Sequence, residues 1–81
     1  VYVVGKVNNP GTNLLQGKMT VMQALAASGG FTRFADKDDI VILRNYNGEN
    51  EAVQFDYTEV SKGNDLESNI TLMPGDTIVV P

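Results

Sequence analysis

Hydrophobic residues fall in short runs separated by breaks rich in glycine, asparagine and proline. The opening run, VYVVGKV (Val1 to Val7), is dense in β-branched residues and predicts a strand. Its alternation puts Val1, Val3, Gly5 and Val7 on one face and Tyr2, Val4 and Lys6 on the other. Asn8-Asn9-Pro10-Gly11 predicts a turn, because proline presets its own φ and glycine accepts positive values. Thr12 to Gln16 predicts a short second strand around Leu14 and Leu15, broken by Gly17-Lys18.

The period then changes. Thr20 to Ser28 predicts a helix with Met22, Leu25 and Ala26 on one face and Val21 close by. Thr20 followed three residues later by Gln23 fits a capping box, in which each side chain satisfies an amide left free at the helix start. Gly29-Gly30 ends the helix, since glycine takes the left-handed cap conformation without a Cβ clash. After the irregular stretch FTRFADKDD, Ile40 to Arg44 predicts a third strand. Asn47-Gly48 signals a hairpin, and Ala52 to Phe55 forms the return. Asp56 and Glu59 suit the cap of one helical turn through Tyr57 and Val60, ended by Gly63. Lys62 to Ser68 reads as a polar loop and Ile70 to Leu72 as a brief strand or extended segment. Pro74-Gly75 fits the centre of a type II turn before the last strand, Thr77 to Val80. This order predicts an α+β domain of the β-grasp (ubiquitin-like) plan: a mixed sheet with one main helix packed on one face.

Composition narrows the function. At 81 residues the chain holds one domain with a modest core. It has no cysteine and no histidine, which removes thiolate chemistry, the commonest general base and the commonest metal ligand. Six basic against ten acidic residues give a net charge of −4, without the basic cluster that a phosphate backbone requires, so nucleic acid is not an expected partner. No apolar run approaches the roughly 20 residues that span a bilayer. The chain opens and closes inside strands, as a domain excised from a longer protein does, and any membrane contact is expected through parts of that parent outside this chain.

Individual motifs mostly admit a structural reading. Gly29-Gly30 and Gly11 lack the strand–loop–helix setting of a phosphate cradle, and Gly29-Gly30 sits at a helix carboxyl end, which repels anions. Asp76 is expected to bond backbone amides beside its turn. Asp36, Asp38 and Asp39 lack the glycine and bidentate glutamate of an EF-hand and read as a solvated loop. Asn69-Ile70-Thr71 matches a glycosylation sequon by composition alone. Ser61-Lys62 stands without a supporting constellation, so no catalytic residue, metal or cofactor is expected. The aromatics Phe31, Phe34, Tyr46 and Tyr57 fall at loops or turns; Phe31 and Tyr57 are expected to pack the helix end against the sheet. Phe34 beside Arg33 is expected on the surface, where aromatic residues and arginine favour an interface. Arg33, Phe34 and Tyr46 are the candidate ligand or interface residues, because sugars stack on aromatic rings.

Three motifs carry a family resemblance: VYVVGKVNNPG (Val1 to Gly11), TVMQALAASGGFT (Thr20 to Thr32) and LMPGDTIVVP (Leu72 to Pro81). Together they resemble the soluble-ligand-binding β-grasp domains, and the closing V-P looks most like the bacterial polysaccharide-export subgroup. The residues after Gly30 are more aromatic here than the family usually shows. The resemblance implies a non-catalytic module of the periplasm or outer membrane that packs against neighbouring subunits or domains of the same export protein and lines a conduit for capsular polysaccharide or exopolysaccharide. A carbohydrate-binding domain touching the polymer through Phe34, Arg33 and Tyr46, and a β-grasp domain for a small soluble ligand, are the alternatives.

Overall fold

The computed structural model describes residues 1–13 and 17–81. Among the described residues five strands form one mixed sheet: β1 (Tyr2–Gly5), β2 (Gly11–Thr12), β3 (Ile40–Tyr46), β4 (Glu49–Phe55) and β5 (Thr77–Val80). Their order is β2-β1-β5-β3-β4, with β1 parallel to β5 and the other neighbouring pairs antiparallel. Helix α1 (Val21–Ala27) is the main helix, followed later by the short α2 (Tyr57–Ser61) and a 3₁₀ turn at Leu66–Ser68. This is the expected α+β, β-grasp-like architecture.

The local signals for α1 appear as hydrogen bonds. Gln23 N–H donates to Thr20 Oγ1, and Thr20 N–H donates to Gln23 Oε1 at 2.9 Å, completing the capping box. At the other end Gly30 N–H reaches Leu25 O at 3.1 Å and Gly29 N–H reaches Ala26 O at 3.0 Å, the paired bonds of a Schellman motif. The buried stripe is Val21, Ala24, Leu25 and Ser28, not the expected Met22, Leu25 and Ala26. Ala26 is exposed and Met22 only partly buried, because the stripe centres on Ala24, whose small side chain lets the helix approach the sheet.

The β3–β4 hairpin is longer than expected. Asn47 (φ 53°) and Gly48 (φ 79°) form a two-residue turn with both central residues at positive φ, so pairing runs up to Tyr46 opposite Glu49. The first strand is shorter: it stops at Gly5, and Val7 rejoins only through a bridge to Phe31. The second begins at Gly11, inside the expected turn, and Leu14 to Gln16 of its expected span lie outside the described residues. The polar loop Lys62 to Ser68 contains the 3₁₀ turn, and Ile70 to Leu72 contributes a single bridge, Thr71 to Thr20, rather than a strand. Asp56 caps α2 by accepting from Glu59 N–H at 3.1 Å. Phe31 and Tyr57 are partly buried against the core, with rings edge to face at 4.7 Å.

The core lies between α1 and one sheet face. Val3, Ile78 and Ile42 form a lateral row across β1, β5 and β3, with Val80, Ile40 and Phe55 beside it. The tightest place is Gly5. Its φ is +98°, and a Cβ there would stand 2.0 Å from Val80 O. The backbone uses this proximity: Lys6 N–H donates to Val80 O at 2.9 Å, Thr32 N–H to Lys6 O at 3.0 Å, Asn8 N–H to Gly30 O at 3.0 Å and Asp36 N–H to Pro81 O at 2.7 Å. The start of the chain, the end of α1 and the end of β5 are thus laced together by backbone bonds. Gly29 differs: it is exposed, and a Cβ there would first meet the movable end of the Asn9 side chain at 2.7 Å, so its constraint is the left-handed φ of +78°. Replacing Gly5 with alanine forces β1 and β5 apart and adds left-handed strain. The expected cost is at least about 2 kcal/mol, a large part of the stability of a small domain, read as a lower urea midpoint than the parent chain.

Candidate functional site

Strand β3 keeps its alternation to the end, so Arg44 and Tyr46 share the helix-side face with Ile40 and Ile42. Strand β5 starts at Thr77, opposite Leu43, and Arg44–Tyr46 with Glu49–Glu51 therefore extend as a two-stranded ribbon beyond it. An inward-facing arginine needs a partner, and the Pro74-Gly75 turn supplies one. Gly75 sits at φ +90° and Asp76 N–H donates to Met73 O at 3.1 Å, as in a type II turn. The turn delivers Asp76, 1% exposed, to the guanidinium. Arg44 Nε donates to Asp76 Oδ1 at 3.0 Å and Nη2 to Oδ2 at 2.8 Å, a two-pronged pair. Arg44 Nη2 also donates to Thr71 O at 3.1 Å, and Met73 N–H donates to Asp76 Oδ2 at 2.8 Å.

Asp76 therefore bonds a backbone amide, as its turn position suggested, and also an arginine that sequence reasoning missed. The available signal was parity: a charge two residues after Ile42 on a core-facing strand. Burial alone would raise the Asp76 carboxyl, but the Arg44 guanidinium and the Met73 amide outweigh it and hold the group below the usual carboxylate range. The Arg44 guanidinium is in turn raised, chiefly by its hydrogen bonds to Asp76.

Arg44, Tyr46, Glu49, Glu51 and Met73 border a cleft of about 310 Å³ on this ribbon. Tyr46 stands directly across from Glu49, and Arg44 from Glu51. The cleft offers an exposed ring, two carboxylates and a thioether, which can stack on and hydrogen-bond a hydroxyl-rich ligand. No nucleophile with an activating base stands there.

The other expected ligand residues lie elsewhere. Phe34 is 76% exposed, with the Arg33 guanidinium 6.0 Å from its ring centre. Their loop is tied to Pro81 through Asp36, near the Ile40 end of β3, whereas Tyr46 ends that strand. Six residue steps separate Ile40 from Tyr46, roughly 20 Å of strand. The structure does not bring Tyr46 together with Arg33 and Phe34.

Remaining motifs are occupied by the fold. Asn69 Oδ1 accepts Met22 N–H at 3.0 Å, bonding a first-turn amide of α1 from 47 residues away. Ser61 Oγ donates to Thr58 O. Asp36 Oδ1 accepts Asp38 N–H at 3.2 Å, and the hydrogen bond and charge of Asp36 raise the Asp39 carboxyl. Among the described residues no group of three acidic, histidine or cysteine side chains is placed to hold a metal, and no helix is long and apolar enough to cross a membrane.

These features define a small β-grasp module whose cap and turn residues bond its own backbone. The chain belongs to the SLBB, or soluble-ligand-binding β-grasp, domain family, whose model matches residues 1–54. This is a binding-domain family associated with polysaccharide export. The match spans the first two signature motifs. The third, Leu72 to Pro81, lies beyond it and joins them physically through β5.

Asp76 gives the site a pH signature. Its carboxyl titrates lower folded than unfolded, so the unfolded chain binds more protons on acidification. The contribution is full above the unfolded value of about 3.9 and is lost as pH falls through the lower folded value. The urea midpoint should fall more steeply below about pH 4 for the parent chain than for Asp76→Asn. At neutral pH that variant should be less stable by about 3 kcal/mol, since it leaves Arg44 without its counter-charge.

Proposed function

We propose that the domain is a non-catalytic assembly module of a longer bacterial polysaccharide-export protein, placed in the periplasm or at the outer membrane. It packs there against neighbouring subunits or like domains and helps line a conduit for capsular polysaccharide or exopolysaccharide. One observation carries this reading: the signature motifs are spent on backbone closure. Gly5 lies against Val80, Asn8 bonds Gly29 and Gly30, and Asp36 bonds Pro81, leaving a rigid body whose binding capacity lies on its surfaces. The expected absence of catalysis accords with a binding-domain family and with a sequence lacking histidine and cysteine.

The hairpin cleft favours a second contact, with the polymer itself. Tyr46 provides a stacking ring, but Glu49 and Glu51 beside it repel an acidic chain. The fit is to a neutral, hydroxyl-rich segment. Small soluble ligands are less well served, since an open cleft at the lower end of the usual pocket range covers little of such a molecule.

Two measurements test these readings. The mass of the full export protein in detergent should be that of an oligomer and should fall when this domain is deleted; a parent that is monomeric with the domain intact contradicts the assembly role. Titrating the domain with neutral and uronic-acid oligosaccharides should move the amides of Tyr46 and Glu49 only with the neutral sugars, and unmoved amides at millimolar sugar would remove the polymer contact.

A further inference from the structure

The two edges of the sheet differ. Strand β2 ends one side with two residues, Gly11–Thr12. Strand β4 ends the other with seven, Glu49–Phe55, paired one to one with β3 and without a bulge. The hairpin turn fixes which backbone groups this longer edge leaves free. A two-residue turn makes Tyr46 and Glu49 a hydrogen-bonded pair, and bonded pairs then alternate along the strands: Arg44 with Glu51, Ile42 with Val53, Ile40 with Phe55. The N–H and C=O groups of Asn50, Ala52 and Gln54 therefore point away from β3. Among the described residues no other backbone group bonds them, and all three residues are exposed.

Edges of this length are commonly blunted by proline, lysine or a bulge. Strand β4 has none of the three. It carries Glu49 and Glu51 on one face, and the 3₁₀ turn that packs against β4 adds Glu67. Neither element holds a lysine or an arginine. Arg44, directly across from Glu51, is already bonded to Asp76 and to Thr71 O. Glu49 and Glu51 are exposed, and among the described residues neither forms an ion pair.

We propose that the β4 edge is a strand-addition site for an extended cationic segment of another protein, a partner distinct from the like domains and the polymer considered above. Two features select that occupant. Three N–H and three C=O groups, repeating at every second residue, match the backbone of an extended chain. The side chains then set its character. Residues of an added strand opposite Glu49 and Glu51 share their face, so lysine or arginine at alternate positions pairs with both. On the other face the small Ala52, between Asn50 and Gln54, leaves room for a larger apolar residue opposite it. A second copy of β4 fits poorly, because it brings its own two glutamates to the same edge.

The test titrates the 81-residue chain with an acetylated, amidated peptide, Thr-Val-Thr-Val-Lys-Val-Lys, followed by NMR. Aligned antiparallel, its lysines fall opposite Glu51 and Glu49, and its three valines face the free groups of Asn50, Ala52 and Gln54. Those three amides should shift, and their hydrogen exchange should slow. The Glu51 and Val53 amides, already bonded to β3, should keep their exchange rates. A peptide with glutamate in place of lysine should not bind. N-methylation of the three valines keeps both charges and should abolish the protection. Glu51→Lys should weaken binding roughly tenfold. Ala52→Pro should remove binding while the Ile42 amide stays protected; if that variant unfolds, Glu51→Lys and the methylated peptide decide. Equal binding of the methylated peptide would reveal charge attraction alone and overturn the proposal. So would unmoved edge amides at millimolar peptide, or edge amides that become protected on raising the concentration of the chain itself.

Discussion

The fold depends on one close approach, that of the Gly5 backbone to the Val80 carbonyl. Parallel neighbours β1 and β5 come from opposite ends of the chain, and their contact is what turns two hairpins and a helix into one sheet. At Gly5 the strand leaves regular geometry with φ +98°, and the space where a Cβ would stand is taken by Val80 O. The redirected chain then aligns Lys6 to Asn9 with Ser28 to Thr32, so the end of α1 is bonded to the same segment. Ser28, fully buried, accepts Asn13 Nδ2 at that junction at 3.1 Å. One steric condition thereby ties together three stretches far apart in sequence.

This explains why the three motifs of this chain are rich in glycine and proline. Gly5 is required for lack of space, Gly29 for a left-handed cap, and Pro74-Gly75 for a turn that delivers Asp76 to Arg44. Each meets a backbone demand. The closure holds rigid the surfaces left open to contact, the hairpin cleft around Tyr46 and the Arg33–Phe34 loop among them. In a module of this size a rigid surface costs little to present, because few side chains must be ordered on binding.

What was legible in the sequence was local. The Thr20–Gln23 box and the Gly29-Gly30 cap mark helix ends through bonds spanning a few residues, and they placed α1 within a residue at each end. Asn47-Gly48 located its hairpin for the same reason. Long-range pairing was less readable. Arg44 and Asp76 are 32 residues apart, and nothing near either residue identifies the other. The helix stripe was misjudged at Ala26 because apolar residues occur nearly all round α1, and the sheet, not the period, chooses the buried side. Similarly, Tyr46 and Phe34 looked like members of one aromatic group, but strand β3 holds them at opposite ends.

Hydrogen exchange at the closure is the most direct test of this account. The amides of Lys6, Asn8, Thr32 and Asp36, which bond Val80, Gly30, Lys6 and Pro81, should exchange only through global unfolding. Their opening free energies should match that of the Ile42 amide in the core and should fall together with it as urea is added. Closure amides that exchange through small local openings, while the core stays protected, would show that the three motifs meet without holding the fold together.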